Sequence, residues 1–149
     1  ADACKGNGIE LDMATGTGWP FGGPWVPLEE SASQMVIVDT IVNGKKIKDL
    51  DMRPETKRRT NSTLVDVYAF GNGTFLRLGK SVSANGMLNA KLPGKGSWRI
   101  IALYRRTGVM KVKRAAPGGA GYVVDHFDKR AVTNYLNHIS DAFRNLLTV

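Results

Sequence analysis

Only one of the 149 residues is cysteine, Cys4. A lone thiol cannot close an internal disulfide, so no disulfide framework holds this fold, and the compartment stays open. No apolar run approaches the roughly 20 residues of a membrane span, so no membrane partner is expected. No basic-then-apolar signal opens the sequence; if the protein is exported, its signal lies outside these residues. The histidines are His126 and His138. Together with Cys4 they lack the spacing of a metal site, and no metal ligand is assigned. The glycines around Gly16-Thr17-Gly18 do not run directly into a helix at nucleotide-binding spacing. No nucleophile elbow announces Ser/His/Asp catalysis.

What remains is an ordinary globular composition, 42% apolar and 23% charged, with enough chain for one domain with a core. The net charge is +8. The basic residues cluster at Lys45–Lys48, Lys57–Arg59 and Arg105–Arg114, along strands and loops rather than as a helix stripe. They read as a solvated face, or as a surface drawn to a polyanion.

Three blocks follow, residues 1–33, 34–114 and 115–149. In the first, Gly8–Ala14 alternates like a short strand and runs into a segment dense in Gly, Pro and Trp, where the backbone turns sharply. The second reads as all-β, six or seven strands in an antiparallel sheet or small sandwich. Gln34–Val42, Leu64–Phe70, Thr74–Leu78, Leu88–Leu92, Ser97–Tyr104 and Val109–Val112 are its strands. Asn43-Gly44 signals a type I′ hairpin, and Asp49–Ser62 reads as a loop. In the third, Tyr122–Val124 is a short buried strand. Asp128 then caps a helix whose Ala131, Val132, Tyr135, Leu136, Ile139, Ala142, Phe143, Leu146 and Leu147 form one apolar face. Strand-then-helix order argues for α/β architecture. Two such strands and one helix cannot cover their own faces, so the chain reads as part of a larger domain.

The chemistry-bearing residues sit after the two proposed parallel strands. Trp19, Phe21, Gly22, Gly23 and Trp25 follow the first; Asp125 and His126 follow the second. Ligands bind at that end of parallel strands. Indole faces stack on sugar C–H faces, and carboxylate and imidazole bind hydroxyls. Each residue also has a packing reading: a Trp can plug a core, Asp125 can cap a helix, and His126 can be structural. His138, at the edge of the apolar helix face, reads as structural. A glycosidase needs two carboxylates across the scissile bond. Glu10, Asp12, Glu29, Glu30 and Asp125 are available, but nothing places two of them across a cleft, and the catalytic residues stay unknown.

Ala14-Thr15-Gly16-Thr17-Gly18-Trp19-Pro20-Phe21-Gly22-Gly23-Pro24-Trp25-Val26 resembles the first barrel-strand motif of family 106 glycoside hydrolases, the α-L-rhamnosidase type. Lys111 to Phe127, with Pro117-Gly118-Gly119-Ala120-Gly121-Tyr122-Val123-Val124-Asp125-His126, resembles the entry to that family's next barrel strand. The resemblance implies a partial (β/α) barrel of two strands and one long helix, interrupted by an inserted antiparallel β subdomain. It implies a substrate-binding wall of Trp19, Phe21, Gly22, Gly23, Trp25, Asp125 and His126, facing terminal α-L-rhamnosyl residues of plant or pectic glycans. The rest of the barrel and the acid–base pair would lie elsewhere, so these residues alone would be inactive. It also implies a periplasmic or extracellular location, and calcium in some members without a ligand assignable here. The partner expected is carbohydrate, not nucleic acid. Two alternatives stay open: a non-catalytic carbohydrate-binding module, and a basic β-rich nucleic-acid binder using Arg53, Lys57, Arg58, Arg59, Arg105, Arg106 and Lys113.

Overall fold

A computed structural model describes residues 2–10, 12 and 14–147. In chain order the elements are α1 (Asp2–Gly6), β1 (Gly22–Gly23), β2 (Gln34–Asn43), β3 (Lys46–Asp51), α2 (Thr56–Arg59), β4 (Ser62–Gly71), β5 (Thr74–Arg77), β6 (Met87–Lys91), β7 (Ser97–Arg106), β8 (Tyr122–Val123) and α3 (Lys129–Leu147). The fold is mixed α/β, with antiparallel sheets and one long C-terminal helix. The chain divides into two compact units, Ser33–Val109 and the combination of Ala1–Ala32 with Met110–Val149.

The Ser33–Val109 unit is β-rich. Four strands in the order β2-β7-β4-β5 form one antiparallel sheet, and β3 pairs with β6 as a separate ribbon. Alternation explains the layering. Val36 on β2, Trp98, Ile100, Ala102 and Tyr104 on β7, and Val67 and Ala69 on β4 point inward, at the two-residue period of a strand with one buried face. They meet Ile47, Leu88, Met52 and Leu92 from the ribbon and its flanks in one core. Each large apolar side chain buried there contributes about 1.5–3 kcal/mol.

Two Asn-Gly pairs behave differently. Asn72 and Gly73 both have positive φ, 49° and 67°, and the register Gly71↔Thr74 closes a two-residue hairpin. That is the type I′ requirement. At Asn43-Gly44 only the glycine has positive φ, 120°. The Gly44 N–H bonds to Gly96, and the chain leaves the sheet for the ribbon. The hairpin expected there does not form: β2 pairs with β7 along ten residues, and β3 pairs with β6. Segment 49–62, expected to be a loop, holds the end of β3 and the single turn α2.

In the other unit, β1 and β8 pair antiparallel, Gly22 against Val123 and Gly23 against Tyr122. Neither Gly22 nor Gly121 has room for a side chain. A Cβ on Gly22 would overlap the Tyr122 carbonyl oxygen, and one on Gly121 the Gly23 carbonyl. Val26, Val124, Ala131 and Tyr135 form the core, with Trp25, Tyr122 and Ile139 packed against it. The Asp128 carboxylate accepts from the Arg130 and Ala131 N–H groups at 2.9 and 3.3 Å, so it caps α3 as its side-chain chemistry predicts.

The partial-barrel expectation meets a different geometry. The described residues of Gly8–Ala14 form no strand, and Leu11 and Met13 lie outside the described residues. β8 has β1 as its antiparallel partner, not a parallel barrel neighbour. No parallel pairing occurs among the described residues. Nor is Val109–Val112 a strand; isolated bridges join Lys111 to Tyr122 and Lys113 to Trp19. Those bridges join residues 111 and 113 to the unit that holds β1 and β8, and the β-rich unit spans Ser33–Val109. The side chains of Leu146 and Leu147, expected on the apolar helix face, lie outside the described residues.

Candidate functional site

The loop before β1 is fixed by its backbone. The Trp19 N–H donates to the Lys113 carbonyl at 3.1 Å, and the Lys113 N–H donates back to Trp19 at 2.8 Å. Gly18 makes this approach feasible, because a Cβ there would sit 2.6 Å from the Lys113 carbonyl oxygen. The Thr17 hydroxyl donates to Gly119 at 2.6 Å. The Tyr135 hydroxyl, on α3, lies between the Thr15 and Gly22 carbonyls and donates to Thr15. Burial holds that phenol above its ordinary pKa, against a smaller opposing effect of the Gly22 backbone.

The predicted wall divides. Trp19 is 70% exposed and Phe21 45%, on a backbone that cannot fold away to hide them. The Phe21 carbonyl accepts from the Val124 N–H at 3.1 Å, which sets Phe21, Gly22 and Gly23 beside the strand leading to Asp125. Trp25 turns instead toward α3. Its ring stacks on His138 at 4.6 Å between centroids and on Tyr135 at 6.0 Å. Its Nε1 is buried with no hydrogen-bond partner.

Asp125 and His126 also separate. Asp125 is 7% exposed; its N–H donates to the Glu30 carbonyl, and its carboxylate accepts from the Phe127 N–H at 3.1 Å. The carboxylate therefore shapes the turn into α3. His126 is exposed in that turn, and Phe127 beside it is wholly so.

The structure adds a cluster that the sequence reading missed. Glu30 accepts from the Asn134 amide at 2.6 Å, and Arg130 lies 3.8 Å from the same oxygen. Glu30 and Asn134, with Trp25, Tyr135 and His138, border a cleft of about 290 Å³. A second, more apolar cleft of about 230 Å³ runs along Thr15, Gly16, Thr17, Trp25, Ile139 and Phe143. The available signal was the four-residue spacing of Arg130, Asn134 and His138, a polar stripe alongside the apolar face. A carboxylate, an amide and an imidazole next to indole and phenol rings suit hydroxyl-bearing ligands. Glu30 is the one carboxylate among the residues lining this cleft. No group of three or more His, Cys, Asp or Glu that could hold a metal ion occurs among the described residues. No helix among them is long and apolar enough to cross a membrane.

Comparison with protein-family models, with curated proteins and with solved structures gave no match to this chain.

Proposed function

We propose that this chain is a sugar-binding part of a glycoside hydrolase of the family 106, α-L-rhamnosidase type, acting outside the cytoplasm on plant or pectic glycans. The observation that carries the reading is Trp19. A large indole held in solvent by a loop pinned on both sides costs hydration free energy, and such surface marks a ligand rim. Phe21 extends that rim, and the Trp25–Glu30–Asn134–His138 cleft adds groups that bind hydroxyls. In this reading Tyr122–Val124 and α3 supply one strand–helix pair of the catalytic domain, and the acid and base come from other residues of it. A carbohydrate-binding module would use the same rim without any catalytic partner.

The test is ligand-observed saturation-transfer NMR with methyl α-L-rhamnopyranoside on the intact chain. Transfer to the sugar is expected in the wild type and lost in Trp19→Ala. Absence of transfer, or transfer that survives Trp19→Ala unchanged, sinks the reading. Hydrolysis of an aryl rhamnoside by these residues alone would overturn the assignment of the acid–base pair elsewhere.

A further inference from the structure

The positive charge of this protein belongs to one unit. Ser33–Val109 holds 14 of the 21 basic residues and five of the 13 acidic ones, a net +9; the remaining residues hold seven and eight, a net −1. Each of the five carboxylates is engaged locally: Asp39 by Arg99, Asp51 by Arg53, Glu55 by Lys57, Asp66 by Arg77, and Asp49 by Asn89. Lys45, Lys46, Lys48, Lys80, Lys91 and Lys95 have no carboxylate partner among the described residues.

The same unit leaves the outer face of its four-stranded sheet bare. Register places Ile41, Arg99, Phe70 and Phe75 in one row across the sheet, and Asp39, Ile101, Tyr68 and Arg77 in the next. Phe75 is 59% exposed and Phe70 42%. Their rings meet at 5.2 Å, and Tyr68 stacks on Phe75 at 5.3 Å. Farther along, Ile37 lies opposite Leu103 and Met35 opposite Arg105. Val65, at the bulge in β4, borders two grooves. One of about 540 Å³ contains Arg77 and Lys80; the other, of about 250 Å³, contains Met35 and Arg105.

We propose that this outer face binds single-stranded nucleic acid, with Phe70 and Phe75 stacking on bases and Lys80 and Arg105 facing phosphates. Exposed rings on a sheet face within a strongly positive field suit a polyanion whose units have π-faces. A second copy is disfavoured by repulsion between two units of net +9. An acidic glycan is disfavoured because hydroxyls need paired polar groups. In these rows the one carboxylate, Asp39, is taken by Arg99, and no Asn, Gln, Glu or His is present. The proposal does not depend on the sugar-binding reading of the other unit.

The experiment is fluorescence anisotropy of labelled oligothymidylate with the intact chain at increasing salt. Binding at low salt that weakens steeply as salt rises is expected. Phe70→Ala/Phe75→Ala should lower affinity about tenfold or more. Phe75→Leu keeps an apolar group against Phe70 and Tyr68, so the fold is retained while a stacking ring is lost; it should show part of that drop. Four results would overturn the proposal: no binding at low salt, ring variants that bind like the wild type, polygalacturonate competing as well as the oligonucleotide at equal charge, or a sedimenting dimer that Phe75→Glu dissociates.

Discussion

Trp25 lies flat against His138, with ring centroids 4.6 Å apart and planes 21° from parallel. On Gly23 a Cβ would fall 2.7 Å from the indole ring, so the ring is held closely between the loop and α3. The two tryptophans of one loop therefore have different work, Trp25 in packing and Trp19 at the surface.

Trp25→Ala should destabilise the protein by about 2–3 kcal/mol, below the range for a fully buried tryptophan because Trp25 is only partly covered. Trp19→Ala should change stability by less than about 0.5 kcal/mol while removing sugar binding. Urea unfolding of both variants, alongside the NMR assay, checks the division. Equal stability losses would contradict it.

Gly22→Ala should be poorly tolerated, because a Cβ would enter the space of the Tyr122 carbonyl oxygen and the Val112 side chain. Backbone must move to admit it, a cost of about 1–3 kcal/mol. Gly73→Ala is a useful contrast, since no atom lies near its Cβ and the cost comes only from its positive φ. Thermal melts should rank Gly22→Ala as the more damaging.

Lys46 sits directly across from Lys91 in the ribbon of β3 and β6. Like charges in register repel. Lys91→Glu should stabilise the chain by about 0.2–1 kcal/mol, and added salt should raise the melting temperature of the wild type more than that of the variant. Melting curves at low and high salt decide it.

Asp66 makes acid stability measurable. Burial pushes its carboxyl up, but the Val67 N–H, Arg77 and the Gly79 N–H outweigh that and hold the pKa below its ordinary value. A depressed folded pKa means that the stabilisation is complete above the ordinary carboxylate range and is lost as pH falls through the folded value. Arg77→Ala should raise that pKa and move acid unfolding to higher pH. Asp51, paired with Arg53 through side-chain and backbone hydrogen bonds, is lowered to about 2. NMR titration should find it there, and higher in Arg53→Ala, with little change in stability because the pair is exposed. Circular dichroism against pH follows the first effect.

Much of the local structure was legible in the amino-acid order. The apolar period of Ala131 to Phe143 and the carboxylate of Asp128 specify α3 and its start. The alternation in Gln34–Val42, Leu64–Phe70 and Ser97–Tyr104 specifies three of the four strands of the main sheet and which residues turn inward, because a strand repeats every two residues. The glycines at 18, 22 and 23 announced close backbone approaches. Pairing was decided only in three dimensions. A short apolar stretch such as Tyr122–Val124 looks the same whether its neighbour is parallel or antiparallel, and Asn43-Gly44 looks like Asn72-Gly73 until φ is known. The same holds for the aromatics. Sequence marks Trp19, Trp25, Phe70 and Phe75 as large and apolar; whether each is covered depends on what the rest of the chain brings over it. Trp25 meets His138 across more than a hundred residues, whereas nothing among the described residues covers Trp19. That difference separates a packing residue from a candidate ligand rim.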